Sequence, residues 1–154
     1  MRRSAPAALA FLLAGLAGCI GDPRAVHDVT RLSTAEAGEA ARIISAYRAS
    51  RGLSPVTVDA RLNEAAEHQA RVVAAAGTLT HGDFASRVRE FGIAGYAAEN
   101  LVAGSATVGD AVGRWKASPG HDANLLMPEA RRIGLARADA NGGYGRYWAL
   151  VLGQ

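Results

Sequence analysis

Three separated stretches of this 154-residue chain carry side chains that bind metals or transfer protons. His81 follows a threonine, Glu99 precedes an asparagine, and His121 follows a Ser-Pro-Gly sequence. Two neutral imidazoles and one carboxylate suit a borderline divalent cation such as zinc, with coordination positions left for water. We therefore take His81, Glu99 and His121 as the candidate catalytic residues, and His81 with His121 as the candidate metal ligands.

Polar neighbours extend this set to a predicted binding cleft. The predicted lining residues are His81, Glu99, Asn100, Ser118, His121 and Asn124. Glu99 has an alternative role, in which it accepts the ring N–H of a histidine ligand and fixes its tautomer. Ser118 could be a nucleophile activated by His121, but a serine before Pro-Gly more simply ends a helix. A hydrogen-bonded network without any metal is the structural alternative for the whole set.

Helical patterns account for most of the chain between these stretches. Apolar residues at helical spacing predict four helices, each beginning after a capping residue: Ser33, Asp59, Asp83 or Thr107. Ser33 and Glu36 have the spacing of a capping box. The Ser118-Pro-Gly segment is expected to end the fourth helix, because proline lacks a donor and glycine permits a reversal, and so to present His121 on a turn.

Extended patterns lie toward the C-terminal end. A short strand is expected over residues 101–104, directly after Glu99 and Asn100. Residues 132–138 and 146–152 are rich in apolar and aromatic side chains and flank an Asn-Gly-Gly turn, which predicts an antiparallel hairpin. Helices followed by a closing hairpin indicate an α+β fold in which helices and a sheet form a sandwich.

Composition limits the function classes. The chain is 49% hydrophobic and 20% charged, which suits one globular domain. Its net charge of +3 includes Arg2 and Arg3 of an acid-free N-terminal segment, so the remainder is close to neutral. No basic block with interleaved aromatic residues is present. We therefore expect no nucleic-acid partner.

The N-terminal residues have the pattern of an export signal. Residues 1–18 combine two arginines with an apolar run too short to span a bilayer, which predicts a signal peptide. Leu16-Ala17-Gly18-Cys19 matches the bacterial lipoprotein box, so Cys19 is predicted to carry lipid and anchor the protein to a membrane. The alternative is an ordinary secretory signal. Both interpretations place the protein outside the cytoplasm, in the periplasm, at the cell surface or secreted.

The predicted domain boundaries follow from this signal. Residues 19–32 lack periodicity and are predicted to be a lipidated tether, and residues 33–154 to be the folded domain. Cys19 is the single cysteine of the chain, so no disulfide is available to stabilise that domain.

An ordered set of short motifs covers nearly the whole predicted domain. In chain order the set comprises Tyr47-Arg-x-x-Arg51-Gly-Leu53, Leu62-x-x-Ala65-Ala66, Thr80-His81, Glu99-Asn100-Leu101, Trp115-x-x-Ser118-Pro-Gly-His121-x-x-Asn124-Leu-Leu, Arg132-Ile-Gly134 and Tyr147-Trp148. In this order they resemble the bacterial branch of the cysteine-rich secretory protein, antigen 5 and pathogenesis-related 1 superfamily, the CAP or SCP domain. The resemblance implies a three-layer α-β-α sandwich with a small central antiparallel sheet.

The same resemblance implies a cleft lined by paired histidines and acids, with a divalent cation between the two histidines. His81 and His121 match the family's cleft histidines, and Glu99 matches the acid of its Glu-Asn motif. Ser118 stands where the eukaryotic branch has a second glutamate, while Ala98 and Thr80 replace a more frequent glycine and serine. The missing carboxylate weakens any catalytic scheme that needs four residues.

Three functions from different classes remain open. The first is a surface-tethered binding module whose groove takes an extracytoplasmic lipid, glycan or peptide. The second is a metal-assisted hydrolase, peptidase- or esterase-like, that uses the same cleft. The third is a structural or interaction protein without an active cleft. We favour the binding module, because no nucleophile with its base and orienting group is evident from the sequence.

Overall fold

The computed structural model describes residues 27–154, and the predicted signal peptide and Cys19 lie outside this part. Its elements alternate between helices and strands along the chain. They are β1 (Val29–Ser33), α1 (Ala37–Ala49), β2 (Thr57–Val58), α2 (Ala60–Ala76), α3 (Phe84–Glu90), β3 (Ala97–Ala103), α4 (Val108–Lys116), α5 (Pro119–Leu125), β4 (Arg132–Ala140) and β5 (Arg146–Gly153).

One sheet forms the centre of the molecule. Four strands follow the order β1-β4-β5-β3 with antiparallel pairing, and the two-residue β2 runs parallel to β4. The predicted hairpin is β4–β5, which pairs in continuous register from Arg132 opposite Gly153 to Asp139 opposite Arg146. β3 pairs with β5 and forms one edge of the sheet.

Side chains of the sheet alternate between two apolar cores. On β5, Trp148, Leu150 and Leu152 pack with residues of α1, α4 and α5. Tyr147, Ala149 and Val151 face the opposite way and pack with α2. Because strand side chains alternate between the two faces, the sheet separates the helices into two outer layers. The structure thus confirms the α+β fold class and the α-β-α sandwich.

Local signals define most helix ends. The Asp59 carboxylate accepts from the N–H groups of Arg61 and Leu62 at the start of α2, and Gly77 ends this helix with a φ of 66°. Asp83 caps α3 through the N–H of Ser86, and Thr107 forms a capping box with Asp110 at the start of α4.

The N-terminal boundary differs from the prediction. Residues 29–32 of the predicted tether belong to β1, because Val29–Ser33 pairs with β4 near the far end of the chain. Ser33 therefore ends a strand, and α1 begins only at Ala37. The Ser33 hydroxyl donates to the Glu36 carboxylate at 2.9 Å, so these residues contact each other without forming the predicted cap.

None of the helices in residues 27–154 has both the length and the apolar character that a membrane span requires.

Candidate functional site

The edge strand β3 organises the candidate residues. Hydrogen bonds from Gly104 N to Arg146 O (2.8 Å) and from Gln154 N to Tyr96 O (3.2 Å) show that the backbone groups of even-numbered residues face β5. The backbone groups of odd-numbered residues, including Glu99 and Leu101, therefore face the open edge. Glu99 and Asn100 lie inside β3 rather than ahead of it, so the predicted strand began too late.

The Glu99 side chain lies on the α2 and α3 side of the sheet and is almost fully buried, at 1% exposure. One carboxylate oxygen contacts His81 Nδ1 at 2.8 Å. The other accepts from the guanidinium of Arg87, a buried residue of α3. Sequence analysis missed Arg87, which falls in a short helix with few apolar positions. Its burial in α3 therefore has no clear sequence signal.

His81 lies in the loop between α2 and α3. The Gln69 side-chain amide of α2 donates to the Thr80 carbonyl, and Arg87 donates to the His81 carbonyl at 3.3 Å. These contacts fix the backbone on both sides of the ring. The imidazole itself remains 55% exposed, so its second ring nitrogen is available to a ligand in solution.

Ser118-Pro-Gly starts a helix instead of forming the predicted turn. Proline at the first position of α5 sacrifices no hydrogen bond, because that N–H has no partner within a helix, and its fixed φ favours the helix. Ser118 has an extended conformation at the N-cap and makes no side-chain cap bond. His121 consequently projects from α5, a seven-residue helix.

Two asparagines join α5 to β3. Asn100 Nδ2 donates to the His121 carbonyl at 3.0 Å, and Asn124 Nδ2 donates to Asn100 Oδ1 at 2.8 Å. Asn124 Nδ2 also lies 3.3 Å from the Glu99 carbonyl on the open edge. Both side chains are thus used to hold the helix of His121 against the strand of Glu99.

A buried arginine of α1 holds the other end of α5. Arg48 donates to four carbonyls, those of Ser54 (2.8 Å), Leu125 (2.8 Å), Met127 (2.9 Å) and Ala130 (3.0 Å). Burial, and then the nearby charge of Arg131, lower the pKa of Arg48. Arg48 is part of the Tyr47-Arg motif but was not among the predicted site residues. Arg48 lies four residues after Ile44, on the apolar face of α1, and this spacing could have predicted its burial.

His121 is affected electrostatically by its burial and by His81. The pKa of His121 is lowered, chiefly by burial and in addition by His81. A lowered pKa favours the neutral imidazole, the form that ligates metals. His81 contacts Glu99 on the α2 side of the sheet, whereas His121 belongs to α5, which packs on the α1 and α4 side.

The contacts of Ser118 and Glu99 do not favour a role for either in acid–base catalysis. Within residues 27–154, Ser118 Oγ makes no hydrogen bond to His121 or to any other base. Both Glu99 oxygens are already acceptors, one for Arg87 and one for His81. In the described part of the chain, no group of three or more histidine, cysteine, aspartate or glutamate side chains is placed to hold a metal. A cation at this site would therefore rest on two imidazoles, with Glu99 orienting His81 through Nδ1.

A cavity of about 210 Å³ lies against the open edge of β3. It is lined by Leu79, Leu101, Val102, Arg114, Trp115, Ser118 and His121. Ser118 and His121 are the two predicted cleft residues that reach it, while Asn100 and Asn124 are used inside the fold. A larger cavity, of about 420 Å³, lies elsewhere and includes Asp59 and Arg132, which pair with each other at 3.1 Å.

The comparisons with known proteins identify the family. The model of the cysteine-rich secretory protein family, CAP, matches residues 41–152. A search of curated proteins finds no match to this chain.

Solved structures from bacteria share the fold. An outer surface protein from Borrelia burgdorferi superposes with a TM-score of 0.70 at 21% identity, over 79% of this chain and 95% of that one. An extracellular SCP-domain protein from Bacillus anthracis gives 0.66 at 18% identity, over 75% of this chain and 39% of that one. A cysteine-rich secretory protein from Staphylococcus aureus gives 0.61 at 16% identity, over 74% and 36% respectively.

These structural likenesses show the fold, and the family model covers most of the chain, including His81, Glu99 and His121. The chain belongs to the cysteine-rich secretory protein (CAP) family.

Proposed function

We propose that this CAP protein is exported and acts as a membrane-anchored binding module, with a divalent-cation site between His81 and His121. The observation that carries the proposal is the pairing of His81 Nδ1 with the buried Glu99 carboxylate at 2.8 Å, together with the lowering of the pKa of His121 by burial and by His81. This pairing leaves the other nitrogen of His81 for a ligand, and both imidazoles favour zinc.

The zinc site has a direct test. Calorimetric titration with zinc is expected to show one site in the wild-type protein and none in the double variant His81→Ala with His121→Ala. His68→Ala is the matched control, because His68 is exposed on α2 and contacts the Phe91 ring edge-on. Zinc binding that survives in the double variant, or that disappears with His68→Ala, contradicts the proposed ligands.

Export and anchoring rest on the N-terminal pattern and agree with two structural neighbours, which are an outer surface protein and an extracellular protein. Cys19→Ser is expected to release the protein from the membrane fraction of expressing bacteria, because Cys19 is the single lipidation candidate. Mass spectrometry of the wild-type protein should find a diacylglyceryl group on Cys19. An unmodified thiol there would leave export without an anchor.

Binding is better supported than hydrolysis. A water nucleophile on the cation needs a nearby base, and the Glu99 carboxylate is occupied by Arg87 and His81. The backbone groups at the open edge of β3, beside the 210 Å³ cavity, instead suit recognition of an extracytoplasmic ligand. A cation held by His81 and His121 would supply an electrostatic contact to such a ligand.

A further inference from the structure

On the open edge of β3, Leu101 has both of its backbone groups unpaired in the described part of the chain. The Glu99 carbonyl accepts from Asn124, and the Ala103 carbonyl accepts from Arg114. Between them, the N–H and C=O of Leu101 have no hydrogen-bond partner within residues 27–154. Leu101 also lines the 210 Å³ cavity, so a ligand there can reach a backbone donor and a backbone acceptor of the same residue.

Trp115, which also lines this cavity, carries a second unpaired donor. Trp115 is fully buried, and its Nε1–H has no partner in the described part of the protein. The other tryptophan differs, because Trp148 Nε1 donates to the Ser105 carbonyl at 2.9 Å. A buried N–H without an acceptor is destabilising, because it has lost its hydrogen bond to water without a replacement. An acceptor supplied by a ligand at the cavity would remove this cost.

The rest of the lining indicates the chemistry of the ligand. Leu79 is 41% exposed and presents an apolar side chain at the cavity. Arg114 supplies positive charge, and the seven lining residues include no carboxylate. The cavity therefore matches a ligand with a small apolar group, backbone-like polar groups and negative charge.

We propose that this cavity binds a short acidic peptide in extended conformation. One apolar residue of the peptide pairs with both backbone groups of Leu101, as an added strand does, and packs against Leu79. A peptide carbonyl accepts from Trp115 Nε1, and a flanking carboxylate lies near Arg114. Asn124 and Arg114 occupy the neighbouring edge carbonyls, so pairing is limited to one residue and affinity is modest.

This proposal names a ligand class for the binding module and rests on that function, but it does not require the cation. The test uses the full ¹⁵N-labelled protein in EDTA, titrated with the capped tripeptide Ac-Glu-Val-Glu-NH2. The indole N–H signal of Trp115 and the amide signal of Leu101 are expected to shift and saturate. The Trp148 indole signal should stay in place, because its N–H is already bonded inside the protein.

Two altered peptides and two variants test the contacts. Ac-Lys-Val-Lys-NH2 is expected to bind at least tenfold more weakly, because its charges are repelled by Arg114. A form of the acidic peptide that is N-methylated at valine should lose at least as much, because it has no N–H to donate to the Leu101 carbonyl. Leu79→Asp should weaken binding of the acidic peptide at least tenfold. Val72→Asp is the matched control, since Val72 is 39% exposed on α2 and does not line the cavity.

Three results would overturn the proposal. An unmoved Trp115 indole signal would show that the peptide does not bond to this N–H. Equal binding of the N-methylated peptide excludes pairing with Leu101, and equal losses in the Leu79→Asp and Val72→Asp variants exclude this cavity. Zinc calorimetry on the same preparation tests the cation site separately. Zinc binding without peptide binding leaves the proposed cation site intact and rejects the peptide alone.

Discussion

Replacing Arg48 by methionine is expected to lower the free energy of unfolding by about 4 kcal/mol or more, since each bond from a charged donor is worth about 1.5–3 kcal/mol. Arg48 is fully buried and donates to four carbonyls. Methionine fills much of the space and avoids burying a charge, but it leaves these acceptors without a donor. Urea unfolding followed by tryptophan fluorescence measures the change.

Arg42→Met is the matched control for Arg48→Met. Arg42 is exposed on the same helix, so its replacement should change stability by no more than about 0.5 kcal/mol. If Arg48→Met does not fold, Arg48→Lys keeps the charge with fewer donors and should give an intermediate loss. A loss below about 1 kcal/mol in Arg48→Met, as for a surface position, would mean that Arg48 does not hold α5 in place.

Glu99→Gln is expected to destabilise the protein by about 3–5 kcal/mol, because it leaves the Arg87 cation buried beside a neutral amide. Arg87→Met should cost a similar amount by leaving the carboxylate uncompensated. Because Glu99 and Arg87 are in direct contact, their effects should not add. The free energy of unfolding of the double variant should fall by less than the sum of the two single losses, and the difference should be at least about 2 kcal/mol. Urea unfolding of the wild-type protein and the three variants gives the four free energies of this double-mutant cycle.

The control for Glu99→Gln is Glu64→Gln at an exposed position of α2, which should be close to neutral. Additive losses in the cycle would show that Glu99 and Arg87 act independently. In that case the buried carboxylate would have no partner able to fix its position next to His81.

Elements with local signals could be predicted from the sequence. Asp59 and Gly77 mark the two ends of α2, because a side-chain acceptor and a left-handed glycine satisfy helix-end groups without help from the rest of the fold. The β4–β5 hairpin is local in the same sense, with its turn chemistry and both strands contiguous. The fold class followed from these elements together with the ordered motifs.

Elements that depend on distant partners could not be predicted in this way. β1 has little apolar periodicity and is a strand because it pairs with β4, more than a hundred residues away. The Ser118-Pro-Gly segment is compatible with both a turn and a helix start, and contacts from Asn100 and Arg48 hold the helix. Within the site, spacing suggested His81, Glu99 and His121, but the burial of Arg87 beside Glu99 appears only in three dimensions.

The most direct test of the account is anomalous diffraction from zinc-soaked crystals, recorded on both sides of the zinc absorption edge. One anomalous peak is expected about 2.0–2.1 Å from a ring nitrogen of His81 and at the same distance from one of His121. Glu99 should remain on Nδ1 of His81. A peak at His27 or His68 instead, or imidazoles of His81 and His121 too far apart to share one ion, would contradict the account.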